Sequence, residues 1–427
     1  MSQVQPQDAK AQFGDAIAQS RLVKRFMNLG GLARRPKPVV GVTPSDVIHR
    51  ENKWSLLRYR PRAAGLAYKR PVLLVPSLIN RHYVLDLMPG KSFAEWLVGK
   101  GHDVYIIDWG TPGAEDRYLS FDEITDKYLG RAVRKASASA GGEDVHVLGY
   151  CLGGTLTTIY TALHPEKVAS LVDIAAPISF DDDGLLARWT KSDKFDVKAI
   201  LDAFGNVPWQ LMQATFQMLR PTLGLAKGVY MVDRAWDDEF LDGFLALESW
   251  GNDNVSFPGA AFGKYIDELY RKNSLVKGEL SISGERVDLA RIACPILNIT
   301  FQHDNIVPAE SAAPLMDLVS STDKERLHLP GGHVGAVVSK SAAKGLWPKL
   351  ADFWAKRDGE VARVAPTSSG PEEVAKPSVA KRTSDAPVTV MAGASEPAPV
   401  NALTSAPRRA RKTQNRTTNG RRSATRR

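Results

Sequence analysis

The chain has 427 residues, 43% of them hydrophobic and 24% charged, which is enough for one large domain or two average ones with an ordinary core. Its only cysteines are Cys151 and Cys294, so a disulfide framework is excluded and a reducing cytosol is the expected compartment. Most of the net charge of +9 falls in residues 358–427, which hold 13 Lys and Arg against six Asp and Glu, and the nearly neutral remainder shows no electrostatic sign of a polyanionic substrate.

An N-terminal extension, residues 1–40, opens the chain and is predicted to be helical. Apolar residues recur among polar ones over residues 1–35, as in an amphipathic helix, until Gly30 and Gly31 end the pattern. We expect this helix to pack on the body of the protein, with contact to a partner or an apolar surface as the alternative. Charged residues break its early apolar run, which excludes a secretory signal peptide, and no uninterrupted apolar stretch of about 18 residues predicts a membrane span.

Short apolar runs alternate with helical stretches over residues 41–176 and again over 286–357, which we predict to form one core. Continuous apolar runs are typical of strands that are buried on both faces, as in a parallel sheet. Helical stretches such as 93–100 and 152–164 separate these runs, and the alternation predicts a doubly wound, mostly parallel α/β sheet. The predicted strands are 71–76, 102–109, 144–149, 168–176, 295–301 and 326–329.

Residues 177–285 interrupt this alternation with a mostly helical, aromatic-rich insertion. An insertion between two sheet strands is expected to lie over the carboxyl edge of the sheet, where open α/β sheets place their active sites. We therefore interpret it as a cap over the site. A helical subdomain with an ordinary aromatic core is the alternative, and the two are compatible. Its large aromatic residues are Trp189, Trp209, Phe216, Trp236, Phe240, Phe244, Trp250 and Phe262.

The composition changes again in residues 358–427, which are rich in Ala, Pro, Ser, Thr and Val, and no aromatic residue follows Trp354. Such a segment buries too little apolar surface to offset its chain entropy, so we predict a disordered basic tail. Its last 20 residues contain nine Lys and Arg and no acid. A solubilising role is the simplest expectation, and binding of nucleic acid or of an acidic partner is the alternative.

A glycine-flanked cysteine stands between an apolar run and a helical one, in residues 149–154 (GYCLGG). The pattern is that of the sharp turn that presents the nucleophile in the α/β-hydrolase fold, with Cys151 in place of the usual serine. Side chains at the flanking glycines would clash with the neighbouring backbone, and the start of a helix favours a thiolate. The sequence therefore predicts an α/β-hydrolase fold with Cys151 as nucleophile. A structural cysteine in a glycine-rich turn is the alternative.

Such a nucleophile requires an acid and then a histidine, each after a later strand. Asp304 follows the predicted strand 295–301, and His333 follows 326–329 on a glycine-rich turn. We expect His333 to accept the proton of Cys151 and Asp304 to orient His333. The other acids, histidines and cysteine that we considered are less suited by their positions; they are Asp103, Asp108, His164, His303, His328 and Cys294.

Backbone amides are expected to stabilise the oxyanion that such a reaction forms. One is the N–H of Leu152, directly after the nucleophile, and the second comes from the loop that follows the strand 71–76. In this loop we favour the amide of Ile79 over that of Leu78. Neither metal-ligand spacing nor a glycine-rich phosphate loop occurs, so we expect no metal and no cofactor.

Several segments outside the cysteine turn match one known family. They are 43–53 (TPSDVIHRENK), 56–61 (LLRYRP), 74–87 (LVPSLINRHYVLDL), Trp250-x-Asn252-Asp253 before Pro258-Gly259, Asp304-x-x-Val307-Pro308 and 331–335 (GGHVG). Over about residues 40–356 the chain resembles the polyhydroxyalkanoate synthases, and among them the short catalytic subunits of the two-subunit, class III type. Ser77 stands where a second proline is often found, and the basic tail is not part of the family's pattern.

The resemblance implies a substrate, the coenzyme A thioester of a 3-hydroxy fatty acid, with 3-hydroxybutyryl-CoA as the first candidate. The enzyme would hold the acyl group on Cys151 as a thioester and join the units into a polyester with release of coenzyme A. The resemblance also implies a cytoplasmic, granule-associated protein, a homodimer and a second synthase subunit. Two other functions stay open: a cysteine-dependent hydrolase or thioesterase similar to dienelactone hydrolase, and a granule- or DNA-associated scaffold acting through the tail.

Overall fold

A computed structural model describes residues 20–219 and 221–358 of the chain. The first 19 residues and the residues after Asp358, where we predict the disordered tail, lie outside the described residues. No helix within the described ranges is both long enough and apolar enough to cross a bilayer.

The described residues contain a large sheet and a small hairpin. The strands are β1 (Ser45–Glu51), β2 (Trp54–Tyr59), β3 (Val72–Val75), β4 (Val104–Asp108), β5 (Val145–Tyr150), β6 (Val168–Ile174), β7 (Ser281–Ile282), β8 (Glu285–Arg286), β9 (Ile296–Phe301) and β10 (Lys324–Leu329). Eight of them form the sheet in the order β1-β2-β4-β3-β5-β6-β9-β10, and β7 pairs with β8. Within the large sheet, strand β2 is antiparallel to its neighbours β1 and β4, and the other neighbouring strands are parallel. The predicted mostly parallel sheet is confirmed.

The central strand β3 is apolar at every position because both of its faces are buried. In β3, Val72 and Leu74 belong to the hydrophobic cluster on one face of the sheet, while Leu73 and Val75 belong to the cluster on the other face. Successive side chains of a strand point to opposite faces, so a strand covered on both sides needs a continuous apolar run. The edge strand β10, in contrast, alternates between exposed and half-buried residues.

Helices cover both faces of this sheet. In chain order they are α1 (Arg21–Gly31), α2 (Phe93–Gly99), α3 (Leu129–Ser139), α4 (Leu152–Leu163), α5 (Leu185–Thr190), α6 (Val197–Phe204), α7 (Trp209–Leu219), α8 (Leu223–Arg234), α9 (Asp238–Asn252), α10 (Gly259–Lys264), α11 (Ser274–Lys277), α12 (Ala309–Ala312), α13 (Leu315–Leu318), α14 (Gly335–Val338) and α15 (Lys340–Asp358). Side chains of α3 and α4 pack in the first cluster, and those of α2 and α15 pack in the second. The sheet is therefore doubly wound, as the alternation of the sequence predicts.

Helices α5 to α11 lie between β6 and β9, within the insertion that we interpret as a cap. Since β6 and β9 are neighbours in the sheet and run parallel, the whole insertion is one long connection that starts at the carboxyl edge. Val207 and Phe257 exchange two backbone hydrogen bonds of 2.9 and 3.0 Å, which tie the middle of the insertion to its end. The ring of Phe257 packs against Phe262 and Tyr265, and these aromatic residues join the hydrophobic cluster on one face of the sheet.

The N-terminal helix α1 lies against the cap through polar groups. Arg25 pairs with Asp233 at 3.2 Å, and Asn28 donates to Asp238 at 3.1 Å. Three large apolar side chains of the helix are more than half exposed; they are Leu22, Phe26 and Met27. The described part of this segment therefore lies against the cap, as expected, and also presents an apolar surface.

Candidate active site

The cysteine turn joins strand β5 to helix α4. Cys151 has φ 57° and ψ −130°, a backbone conformation that costs a residue with a side chain about 1–3 kcal/mol. Its amide donates a hydrogen bond of 2.9 Å to the carbonyl of Ile174, the last residue of β6, which holds the turn in place. The predicted strained turn is confirmed, and it places the thiol at the carboxyl edge of the sheet and at the start of a helix.

The glycines on either side of Cys151 leave no room for side chains. A Cβ atom on Gly149 would lie 2.3 Å from the Cα of Gly154, and one on Gly153 would lie 2.1 Å from the carbonyl oxygen of Val75. Both distances are far below any real contact, and both partners are backbone atoms that cannot move aside. The predicted need for glycine at these flanks is confirmed.

Asp304 and His333 meet between the loops that follow β9 and β10. The Nδ1 atom of His333 lies 2.7 Å from Oδ2 of Asp304, and neither side chain is more than 8% exposed. The second oxygen of Asp304 accepts the amide N–H groups of Ile306 and Val307, each at 2.9 Å, so the carboxylate is fixed in direction. The imidazole of His333 also lies close enough to Cys151 to interact with the charge of its sulfur.

The charge of the cysteine governs the proton on His333. Burial alone would lower the pKa of His333, but the negative charge of Cys151 and the hydrogen bond to Asp304 outweigh it and raise this pKa to about 10. A proton on the imidazole is therefore favoured whenever the sulfur of Cys151 is anionic. The structure brings together the three residues that the sequence singled out, with His333 next to both Asp304 and Cys151.

A cavity of about 390 Å³ opens onto Cys151 and has a mostly apolar lining. From the core come Ile79 and Leu152, and from the loop after β9 come Ile306 and Val307. Most of the lining belongs to the cap and includes Trp189, Phe195, Ile200, Met212, Phe216 and Phe262. The insertion therefore forms the wall that faces the sulfur of Cys151.

Two tyrosines in this lining were missed in the sequence. The rings of Tyr265 and Tyr270 contact each other edge-on, with centroids 5.4 Å apart, and both hydroxyls lie close enough to Cys151 to interact with its charge. Burial raises the pKa of both hydroxyls well above the usual value, so both stay protonated and can donate hydrogen bonds. They lie five residues apart within the π-helical segment Tyr265–Arg271, where positions i and i+5 meet. The aromatic residues that mark the insertion in the sequence include these tyrosines as well as its tryptophans and phenylalanines, and only the tyrosines carry hydroxyl groups.

The alternative residues lie elsewhere. His303 and His328 are exposed, and His164 bonds to Asp126 at 2.8 Å where α4 ends. Cys294 precedes β9 and so lies at the amino edge of the sheet, opposite the cavity, where burial raises its pKa to about 12. Within the described ranges, no three histidine, cysteine or acidic side chains are grouped so that they could hold a metal ion.

The two amides expected to stabilise an oxyanion come from different elements. Leu152 is the first residue of α4, so its N–H has no acceptor within the helix. Ile79 lines the same cavity as Cys151, whereas Leu78 lines a smaller cleft beside Trp109. The position of Ile79 favours its amide over that of Leu78, and the role of both amides stays a prediction.

Known proteins match the chain at the level of family models and of whole sequences. A model described as the alpha/beta hydrolase fold matches residues 70–338, and one described as the N-terminus of poly-beta-hydroxybutyrate polymerase (PhaC) matches residues 38–97. A protein of Allochromatium vinosum is 37% identical, over 74% of this chain and 90% of its own length. A protein of Haloferax mediterranei is 36% identical, over 82% of this chain and 71% of its own length. A protein of Synechocystis is 34% identical, over 74% of this chain and 86% of its own length. All three are described as poly(3-hydroxyalkanoate) polymerase subunit PhaC.

Proposed function

The chain belongs to the poly(3-hydroxyalkanoate) polymerase family, and from this premise we propose how its residues carry out the polymerisation. It is a polymerising acyltransferase of the alpha/beta hydrolase fold. The proposed substrate is a 3-hydroxyacyl-CoA, with 3-hydroxybutyryl-CoA as the first candidate, and the products are a polyester and free coenzyme A. One observation carries the proposal: Cys151 lines an apolar cavity and lies close to His333, which is hydrogen-bonded to Asp304. The proposed route uses no resident metal or cofactor.

In the first half-reaction the acyl group is loaded onto the cysteine. The sulfur of Cys151 attacks the carbonyl carbon of the thioester, and His333 holds the proton that the thiol gives up. The amides of Leu152 and Ile79 stabilise the oxyanion that forms. The carbon–sulfur bond to coenzyme A then breaks, and His333 returns its proton to the leaving thiolate. One thioester has replaced another, so the acyl group remains activated.

In the second half-reaction two units are joined. The 3-hydroxyl oxygen of one unit attacks the acyl carbon of another. His333, now neutral, accepts the proton that this hydroxyl gives up. An ester bond forms, a thioester bond breaks, and the proton passes to the released thiolate. Asp304 holds His333 in the tautomer that presents Nε2 and stabilises the imidazolium. The protonated hydroxyls of Tyr265 and Tyr270 supply hydrogen-bond donors for substrate oxygens in the same cavity.

The cap is proposed to keep water from the acyl-enzyme, since hydrolysis there would make the enzyme a thioesterase. An apolar wall offers water few hydrogen-bond partners, so an alcohol delivered as part of a substrate competes better for the acyl group. A cysteine-dependent hydrolase would use the same three residues, and the product is what separates the two functions.

We further propose that the protein associates with its polyester product through exposed apolar residues of α1 and α8, two helices that contact each other. These residues are Leu22, Phe26 and Met27 on α1, and Leu225, Val229 and Tyr230 on α8. So many exposed apolar side chains on neighbouring helices mark a contact surface. Changing Phe26 and Val229 to Asp should weaken partition of the protein onto purified polyester granules and leave turnover of dissolved substrate unchanged. Unaltered partition would contradict this part of the proposal. A homodimer and a second subunit stay predictions.

The catalytic proposal is tested with purified protein and 3-hydroxybutyryl-CoA. Free thiol, insoluble polymer and free 3-hydroxy acid are followed together, and Cys151→Ala is treated in parallel. We expect thiol and polymer to appear together in the wild type and both to be absent in the variant.

Other outcomes are equally clear. Thiol with free acid and no polymer would establish the hydrolase instead. Thiol release that survives Cys151→Ala would remove Cys151 from the mechanism. If the wild type releases no thiol with any 3-hydroxyacyl-CoA of four to twelve carbons, the experiment is repeated with a second synthase subunit, and continued inactivity would refute the proposed substrate class.

A further inference from the structure

The loop that carries Ile79 is held by a part of the cap that lies about 170 residues later in the chain. The carbonyl of Ile79 accepts a hydrogen bond of 3.3 Å from the amide of Val255. Two residues on, the carbonyl of Arg81 accepts a bond of 2.9 Å from the indole N–H of Trp250, a pair separated by 169 positions. The backbone of the loop is thus fixed on both sides of Asn80.

Side chains add a second set of bonds between the same two segments. Asn80 donates to the side-chain oxygen of Asn254 at 2.5 Å. The two oxygens of Asp253 accept from different partners: one from the guanidinium of Arg81 at 3.1 Å, the other from the hydroxyl of Tyr83 at 2.9 Å. The carboxylate of Asp253 therefore holds two residues of the stretch that follows Ile79, Arg81 and Tyr83.

These contacts matter because an oxyanion donor must be placed accurately. Stabilisation by a preorganised amide depends on its direction and on distances of a few tenths of an ångström. At its start the loop is tied to the core, where the carbonyl of Pro76 accepts the indole N–H of Trp109 at 3.0 Å. From Ile79 to Arg81 the loop bonds to residues 250–255 of the cap, which include the end of helix α9. Beyond them, His82 returns to the core and lies 3.2 Å from Asp108.

We infer that Asp253 and Trp250 are positioning residues that set the direction of the Ile79 amide for the oxyanion of acyl transfer. Neither side chain lines the cavity, so both act through the loop and not on the substrate. The inference depends on the proposed function, because only an acyl transfer forms an oxyanion at this position. Because the bonds that hold the Ile79 loop come from the cap, the oxyanion site also depends on how the cap docks on the core.

The test compares two reactions of the same sulfur. Acylation of Cys151 by 3-hydroxybutyryl-CoA passes through an oxyanion, whereas alkylation of Cys151 by iodoacetamide does not. We expect Asp253→Ala to slow acylation, measured as single-turnover release of coenzyme A, by about tenfold to a hundredfold. The rate of alkylation, measured by intact mass, should change by less than about twofold. The KM for 3-hydroxybutyryl-CoA should also change by less than about twofold.

A second, milder variant guards against misfolding. Trp250→Phe keeps an aromatic ring in the same place and removes only the N–H that bonds to Arg81, and about a threefold to tenfold slower acylation is expected. The matched controls are Asp242→Ala, whose carboxylate pairs with Arg35, and Trp236→Phe, whose ring contacts Arg21. Both lie on the cap away from the loop, and both should acylate at the wild-type rate.

Three results would overturn the inference. Unchanged acylation in both variants would show that the bonds do not position the amide. Equal losses of acylation and alkylation would show general damage to the site instead of a displaced oxyanion donor. A wild-type protein that is alkylated but never acylated at Cys151 would refute the proposed function itself, and the inference with it.

Discussion

The two edges of the central sheet carry the same residue types and differ in what surrounds them. At the carboxyl edge, Cys151 lines the apolar cavity under the cap, and His333 lies beside it with a hydrogen bond to Asp304. At the amino edge, Cys294 stands before β9, while His102 and His146 stand at the starts of β4 and β5 and pack against the C-terminal helix α15. Both cysteines are half-buried, so exposure alone does not distinguish a nucleophile from a structural thiol.

Comparing His333 with His102, one buried histidine at each edge, shows what does distinguish the edges. Burial lowers the pKa of each, because an apolar environment disfavours the imidazolium. At the carboxyl edge the charges of Cys151 and Asp304 outweigh burial, and the pKa of His333 rises to about 10. At the amino edge a second histidine adds to the effect of burial, and the pKa of His102 falls to about 4. Neighbouring charge therefore determines whether a buried histidine is protonated. The protonation of the histidine in turn determines whether that edge of the sheet can support acid–base chemistry.

The largest expected effect comes from exchanging each cysteine in turn. Cys151→Ala should reduce polymer formation by at least about 10⁴-fold, because removing a nucleophile stops covalent catalysis outright. Cys294→Ala should leave the rate within about twofold, since its thiol lies at the opposite edge and burial raises its pKa to about 12. Release of coenzyme A under saturating substrate measures both. A large loss in Cys294→Ala with a normal unfolding midpoint would mean that the amino edge takes part in the reaction.

The second-largest expected effect comes from replacing an acid at each edge, because only the acid at the carboxyl edge should affect turnover. Asp304→Asn keeps the shape of the side chain but cannot stabilise the imidazolium, so we expect the rate of coenzyme A release to fall by about 10²–10⁴-fold. Asp358 lies 3.8 Å from Nε2 of His146 and bonds to Arg70, so Asp358→Asn should lower the thermal unfolding midpoint by a few degrees and leave turnover within about twofold. Equal effects of the two variants on turnover would contradict the distinction between the edges.

Most of the sheet and the three proposed catalytic residues can be predicted from the sequence because they follow chain order. The carboxyl ends of parallel strands meet at one edge, so Cys151, Asp304 and His333 are expected to converge once β5, β9 and β10 are recognised. The bonds between Asp253 and the loop after β3 could not be predicted, since they depend on how the cap docks. The same holds for the amino edge: the sequence shows His102 close to a strand but not the helix that buries it.

The stability of the amino edge should respond to acid in a way that the carboxyl edge does not. The ring of His102 stacks on Tyr68 at 4.3 Å and meets Trp354 edge-on at 5.7 Å. Its pKa is about 4 in the folded protein and about 6.5 when unfolded, so between these values the unfolded chain binds more protons. The contribution of neutral His102 is therefore complete above about pH 6.5 and is lost as the pH falls towards 4. For His333 the sign is opposite: its raised pKa gives a contribution that is complete below about pH 6.5 and is lost as the pH rises towards 10.

Replacing His102 by a ring that cannot titrate isolates this effect. Between pH 7.5 and pH 5.0 the wild type should lose about 2 kcal/mol of unfolding free energy more than His102→Phe does, at 1.36 kcal/mol per pH unit below 6.5. Denaturant titrations at the two pH values measure the difference. Because acidic side chains titrate in both proteins, their share cancels in the comparison. If His102→Phe and the wild type lose the same free energy, His102 must already accept a proton in the folded state, and the two edges would then treat a buried histidine alike.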